Sequence, residues 1–152
     1  MRIAFTGHRQ INGAYDLGPE WQKICEATVE HLTRLNPEYC LSGMAVGYDL
    51  IASEICSAMM IPFIACVPYV GHHLKWPEHA QEKYNLLLSK ARETVIVSPG
   101  GYAAYKNMIR NHYLVDNSDL VLGCFDGRPG GGTAEAVNYA KKVGRWVVII
   151  KP

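Results

Sequence analysis

The sequence lacks a surplus of charge of either sign. Fifteen Lys and Arg stand against fourteen Asp and Glu, a formal net charge of +1, too little for generic duplex binding driven by counterion release. Long apolar runs are missing too: none approaches the 18 or more residues a spanning helix needs. Met1-Arg2 passes directly into Ile3-Ala4-Phe5, which reads as a strand rather than the apolar segment of a signal peptide. The five cysteines, at 25, 40, 56, 66 and 124, include no close pair at metal-ligand or redox spacing, so free thiols in a reducing compartment are expected. A soluble, cytoplasmic chain without a membrane partner follows from these features.

Two nucleotide-binding signatures are absent as well. The first strand is followed by Thr6-Gly7-His8-Arg9, without the G-x-G-x-x-G spacing of a dinucleotide site, and no G-x-x-x-x-G-K-[ST] occurs anywhere. Ordinary NAD dehydrogenases and P-loop NTPases are therefore poor matches. No internal repeat, low-complexity stretch or linker divides the 152 residues, and a single domain over 1–152 is expected. At 49% hydrophobic and 19% charged residues, the composition is that of a globular domain.

Strand and helix periodicities alternate along the chain. Trp21, Ile24, Cys25, Thr28, Leu32 and Leu35 follow helical spacing after Pro19, and Asn36-Pro37 stops that helix. Further helices are expected from Gly47, from Pro77, over 103–117 and over 133–143. Between them lie short apolar runs at 2–5, 39–41, 62–67, 94–97, 120–125 and 146–150. Apolar strands separated by helices predict a Rossmann-like, doubly wound α/β fold: a mainly parallel sheet, strands buried on both faces, helices on each side.

In such a sheet ligands bind beyond the carboxyl ends of the strands, so the residues immediately after each strand are the informative ones. They are Thr6, Gly7, His8 and Arg9; Ser42, Gly43, Met44, Ala45 and Gly47; Pro68 and Tyr69; Ser98-Pro99-Gly100-Gly101; and Asp126, Gly127, Gly130, Gly131, Gly132 and Thr133. Three glycines and a threonine opening a helix read as an anion site, where unpaired N–H donors and the helix dipole face a phosphate. They also read as a tight strand-to-helix turn. The 42–47 segment is a second loop of the same kind at the same edge.

Taken together, Thr6-Gly7-His8-Arg9, Ser42-Gly43-Met44-Ala45 with Gly47 and Asp49, Met108-Ile109-Arg110-Asn111 and the Gly-Gly-Gly-Thr turn resemble the SLOG superfamily. That group includes the LOG phosphoribohydrolases and the DNA-processing protein A family, and the resemblance is strongest to the small YpsA-like branch. It covers essentially the whole chain. It implies a Rossmann-like fold and a pocket for a nucleotide-derived ligand such as ADP-ribose, an NAD derivative or a cyclic ADP-ribose-type signal of antiphage defence. It also implies a homodimer or tetramer. In LOG enzymes a P-G-G-x-G-T-x-x-E motif carries a catalytic glutamate three residues after the threonine. Here that position is Ala136 and the carboxylate is Glu135, an offset that turns it by about 100° on a helix. Arg110 matches the LOG-type arginine, although Asn111 follows it in place of a basic residue.

Individual residues carry two readings each. Arg110 and Asn111 read as a phosphate clamp and a ribose or base contact, or as a solvated helix face. Asp49 and Asp126 read as acceptors for ribose hydroxyls, or as a first-turn charge and a turn former. Tyr69 and Trp76 read as stacking platforms or packed loop residues. His72, His73 and His79 lack metal-ligand spacing, so no metal and no required cofactor are expected. Two functions of different class result: a receptor or sequestering protein for a nucleotide-derived molecule, or an N-glycosidase using Glu135, Asp49 or Asp126 with Arg110. Nucleic acid is not the expected partner.

Overall fold

The computed structural model describes residues 1–10 and 18–152. The strands are β1 (Arg2–Gly7), β2 (Tyr39–Ser42), β3 (Phe63–Val67), β4 (Glu93–Ile96), β5 (Leu120–Cys124) and β6 (Trp146–Ile150). They alternate with α1 (Pro19–Leu35), α2 (Tyr48–Ala58), α3 (Glu78–Lys90), α4 (Tyr105–Asp116) and α5 (Gly131–Lys142). All pairings are parallel and the sheet order is β4-β3-β2-β1-β5-β6. The expected Rossmann-like α/β fold is the one observed.

Side-chain alternation along the central strands sorts the core into two layers. Ile3 and Phe5, Phe63 and Ala65, and Leu120 and Leu122 point to one face, where they meet Trp21, Ile24 and Leu32 of α1, Leu50 of α2 and Tyr84 of α3. Ala4, Ile64, Cys66 and Val121 point to the other, against Leu114 and Val115 of α4 and Ala140 of α5. This is the period-2 rule of a strand applied to a sheet covered on both faces. The five cysteines are free; burial pushes the Cys66 and Cys124 thiols up to about 12, so they pack as small apolar groups.

The edges depart from expectation. Glu93, Thr94 and Ile96 of β4 are exposed, as is Trp146 of β6. An edge strand has a neighbour on one side only and lies at the margin of the helical layers, so burial on both faces holds only for the central strands. Helix α5 also begins at Gly131, two residues before the expected Thr133, because Gly130 takes φ 78° and turns the chain into the helix as its N-cap.

Topology decides where a ligand can sit. The chain moves from β1 through β4 in one direction with α1–α3 on one face. It then crosses back through α4 to β5, beside β1, with α4 and α5 on the other face. Right-handed crossovers running in opposite directions place their helices on opposite faces, so the connections leaving β1 and β5 diverge and leave a crevice between them.

Two glycines beside this crevice are required by packing. A Cβ on Gly7 would lie 2.6 Å from the Tyr48 side chain, and one on Gly47, at φ 96°, would lie 2.5 Å from the Arg9 backbone. Gly144 also has a positive φ, 77°, but open space around it. Gly47→Ala is therefore expected to cost about 3 kcal/mol or more and Gly144→Ala about 1 kcal/mol, as read from urea unfolding midpoints.

Candidate functional site

The crevice at the carboxyl ends of β1 and β5 holds two adjoining cavities, about 430 and 390 Å³, whose common wall is His8, Arg9, Gly132 and Thr133. The larger is completed by Lys75, Trp76, Arg128 and Gly131, among others, and the smaller by Thr6, Asp49, Asn107, Arg110 and Asn111. Residues separated by more than a hundred positions thus converge on one opening.

The wall from β5 carries donors. Helix α5 has no side-chain cap at its N-terminus, and the first-turn amides of Gly131, Gly132 and Thr133 have no carbonyl one turn behind them. They line the cavities with the positive end of the helix dipole behind them. Glycine at 131 is required by φ 82°, whereas a Cβ on Gly132 would meet only Asn111 Nδ2 at 3.6 Å.

The floor of the smaller cavity is a buried charge pair. Arg110 is 5% exposed and Asp49 is 6% exposed. The two straddle Gly43: a Cβ there would lie 2.9 Å from both Arg110 Cζ and Asp49 Oδ2. Arg110 Nη1 donates to the Gly43 carbonyl and its Nε donates to Asn111 Oδ1 at 3.0 Å. Burial lowers the Arg110 pKa, opposed by the charge of Asp49. Burial likewise raises the Asp49 carboxyl to about 6, opposed by Arg110 and by the Ala45 N–H that donates to Oδ2 at 3.3 Å. Asp49 Oδ1 has no protein partner among the described residues.

The 42–47 loop differs from the expected second amide cradle. The Met44 N–H donates to Ser42 Oγ at 3.2 Å and the Ala45 N–H to Asp49 Oδ2. Both donors are spent inside the loop, and Gly43 is glycine so that Arg110 and Asp49 can approach. Ser42 and Met44 are fully buried, and Ser53 Oγ donates to the Met44 sulfur at 3.7 Å. The loop supplies a carboxylate and a carbonyl, and its Met44 and Ala45 amides are not available to an anion.

Other expected site residues lie around the cavities or away from them. His8 Nε2 lies 3.0 Å from the Asp126 amide nitrogen and 3.2 Å from Asp126 Oδ1, so His8 ties the ends of β1 and β5 together. Asp126 also lies against Arg128, Nε to Oδ2 at 2.9 Å, and backbone and side-chain hydrogen bonds from Arg128 hold its carboxyl below the usual range. Asp126, Gly127, Pro68 and Tyr69 line neither cavity. Tyr69 is buried in edge contact with His72 and Tyr102. Trp76 lines the larger cavity, held nearly perpendicular to His72 at 4.8 Å and Tyr84 at 5.5 Å. Glu135 lines neither cavity: its carboxylate pairs with His112 and accepts from Asn111 Nδ2 at 3.4 Å. Lys75, Arg128 and Asn107 were missed, since an isolated cation or amide on a loop or helix carries no sequence signal of its own.

The YspA SLOG family model matches residues 3–147. The chain belongs to this SLOG family. It is 26% identical over 136 residues to the SPbeta prophage-derived protein YoqJ of Bacillus subtilis, covering 79% of each chain. To a UPF0398 protein of Bacillus cereus it is 23% identical over 113 residues, 70% of this chain and 61% of that one. Among solved structures, DNA processing protein A from Helicobacter pylori, described as binding single-stranded DNA, superposes with a TM-score of 0.71 at 17% identity, over 98% of this chain and 64% of the other. The molybdenum cofactor binding protein of Rippkaea orientalis gives 0.64 at 18% identity, covering 99% and 76%. These structures share the fold with this chain. None of its described helices is long and apolar enough to cross a membrane.

The raised Asp49 carboxyl has a signed consequence. Its folded value of about 6 lies above the ordinary 3.8, so folding favours the protonated form. That contribution to stability is fully present below about pH 4 and is lost as pH rises to about 6. Relative to Asp49→Asn, the wild-type chain should lose about 2 to 3 kcal/mol of unfolding free energy between about pH 4 and pH 7, measured by urea denaturation at each pH.

Proposed function

We propose that the chain binds a nucleotide-derived small molecule, as a receptor or sequestering protein, in the crevice between β1 and β5. The observation that carries this reading is the uncapped first turn of α5, which with Arg9 forms one wall of a cavity also lined by Asp49 and Arg110. A phosphate matches the amides and Arg9; a sugar hydroxyl matches the unpartnered Asp49 Oδ1. ADP-ribose, NAD derivatives and cyclic ADP-ribose-type signals all combine these groups. The resemblance of the motifs to SLOG ligand sites and the small-ligand binder among the structural neighbours support the class of ligand. A prophage-derived relative suits sequestration of a defence signal, and self-association into a dimer or tetramer belongs to the same proposal. No cofactor is required for binding. A DNA-binding neighbour is a weaker guide, because the net charge of +1 provides little field for a nucleic-acid backbone.

An N-glycosidase is the second reading, favoured by one observation: a cavity carboxyl whose pKa lies near 6 suits general acid–base work on a glycosidic bond. Asp49 would be its acid or base. Glu135 is the weaker choice because its carboxylate is engaged by His112.

Titration calorimetry with AMP, ADP-ribose, NAD and cyclic ADP-ribose should give a stoichiometric complex with at least one, and chromatography should recover that ligand intact. A released base would establish the enzyme instead, and no binding across the panel would refute both. Arg9→Ala, at an exposed position, should weaken binding by about 1.5 to 3 kcal/mol with an unchanged melting temperature. Gly132→Val should abolish binding in a folded chain. Gly131→Val and Arg110→Ala are poorer probes: the first is strained by φ 82°, and the second leaves Asp49 buried without its counter-charge.

A further inference from the structure

The two cavities differ in chemistry, and the difference specifies more than a class of ligand. The smaller ends in a carboxylate oxygen that is buried and without a protein partner. A buried acceptor without a protein partner, on a residue that lines a cavity, calls for a donor, and on a nucleotide-derived molecule the sugar hydroxyls are the donors that accompany a phosphate. Among the described residues the larger has no carboxylate in its lining. It offers the indole of Trp76 and three cationic side chains, Arg9, Lys75 and Arg128. Trp76 is fixed by the rings of His72 and Tyr84, so it is a ready-made surface for a planar base at little entropic cost. The first-turn amides of α5 lie on the wall common to both cavities, together with Arg9.

Resting on the nucleotide-binding reading, we infer that the crevice selects a linear, two-armed ligand: a base in the Trp76 cavity, a diphosphate on the shared wall, and a second sugar whose hydroxyls reach Asp49 Oδ1. A mononucleotide fills one arm only. A cyclised form of the same molecule joins its ends and cannot place base and distal sugar on opposite sides of the wall.

Calorimetry with AMP, ribose 5-phosphate, ADP-ribose and cyclic ADP-ribose tests this on wild type, Trp76→Leu, Lys75→Ala and Asp49→Asn. ADP-ribose should bind at least tenfold more tightly than AMP, ribose 5-phosphate or the cyclic form. Trp76→Leu should weaken AMP and ADP-ribose about tenfold and leave ribose 5-phosphate unchanged. Asp49→Asn should weaken ribose 5-phosphate and ADP-ribose at least fivefold more than it weakens AMP. Should Trp76→Leu fail to fold, Lys75→Ala, at an exposed position, must weaken ADP-ribose more than ribose 5-phosphate. Equal affinity for AMP and ADP-ribose overturns the two-armed inference while leaving nucleotide binding intact, as does cyclic ADP-ribose binding as tightly as the linear form. Failure of all four to bind overturns both.

Discussion

A guanidinium buried near the carboxyl edge of the sheet organises everything around it. Arg110 reaches from α4 across the sheet to the carbonyl of Gly43 and lies beside the Asp49 carboxylate. Neither charge is tolerable alone at this depth, since an uncompensated buried ion costs several kcal/mol. Together they fix three elements: the loop after β2, the start of α2 and the middle of α4. The fixed elements in turn determine the shape of the smaller cavity. Gly43 has no side chain because the pair occupies that space, and Asn111 keeps one amide orientation because its Oδ1 accepts from Arg110 while its Nδ2 donates to Gly132 and Glu135.

This arrangement separates two jobs that glycine-rich loops are often assumed to share. The first turn of α5 keeps its amides uncapped by side chains, and the loop after β2 uses those of Met44 and Ala45 internally and contributes negative charge. The crevice is consequently bipolar, with donors on the α5 side and a carboxylate below. A bipolar site favours a ligand that is itself anionic at one point and rich in hydroxyls at another. It disfavours a simple inorganic anion, which would gain from the amides but be repelled by Asp49.

Most of the fold was legible in the sequence because apolar periodicity records burial directly. Trp21, Ile24, Thr28 and Leu32 mark the inner stripe of α1 as plainly in the letters as in the coordinates. The edge strands were not legible as edges: an apolar run such as Thr94 to Val97 reads the same whether one neighbour or two will flank it. Glycine positions were legible, but their reasons were not. Gly43 and Gly131 look equivalent as letters, yet one makes room for a side chain contributed by a residue 67 positions away and the other serves a local backbone turn. The one-residue offset of Glu135 from the LOG-type glutamate was legible, but its partners His112 and Asn111 were not. The cations Lys75 and Arg128 reach the crevice through loop geometry, which no spacing rule encodes.

The return crossing through α4 has a kinetic meaning. His8 and Asp126, which join the ends of β1 and β5, are 118 residues apart, and Gly43 and Arg110 are 67 apart. A chain that has formed β1 to β4 but not yet brought α4 and β5 home possesses half of every wall and no pocket. Contacts of such high sequence separation form late and slowly, so recognition competence arrives only with completion of the sheet. Any molecule held there stabilises the finished state alone, by mass action, and occupancy of the crevice would report that the whole chain, rather than one half of it, has folded.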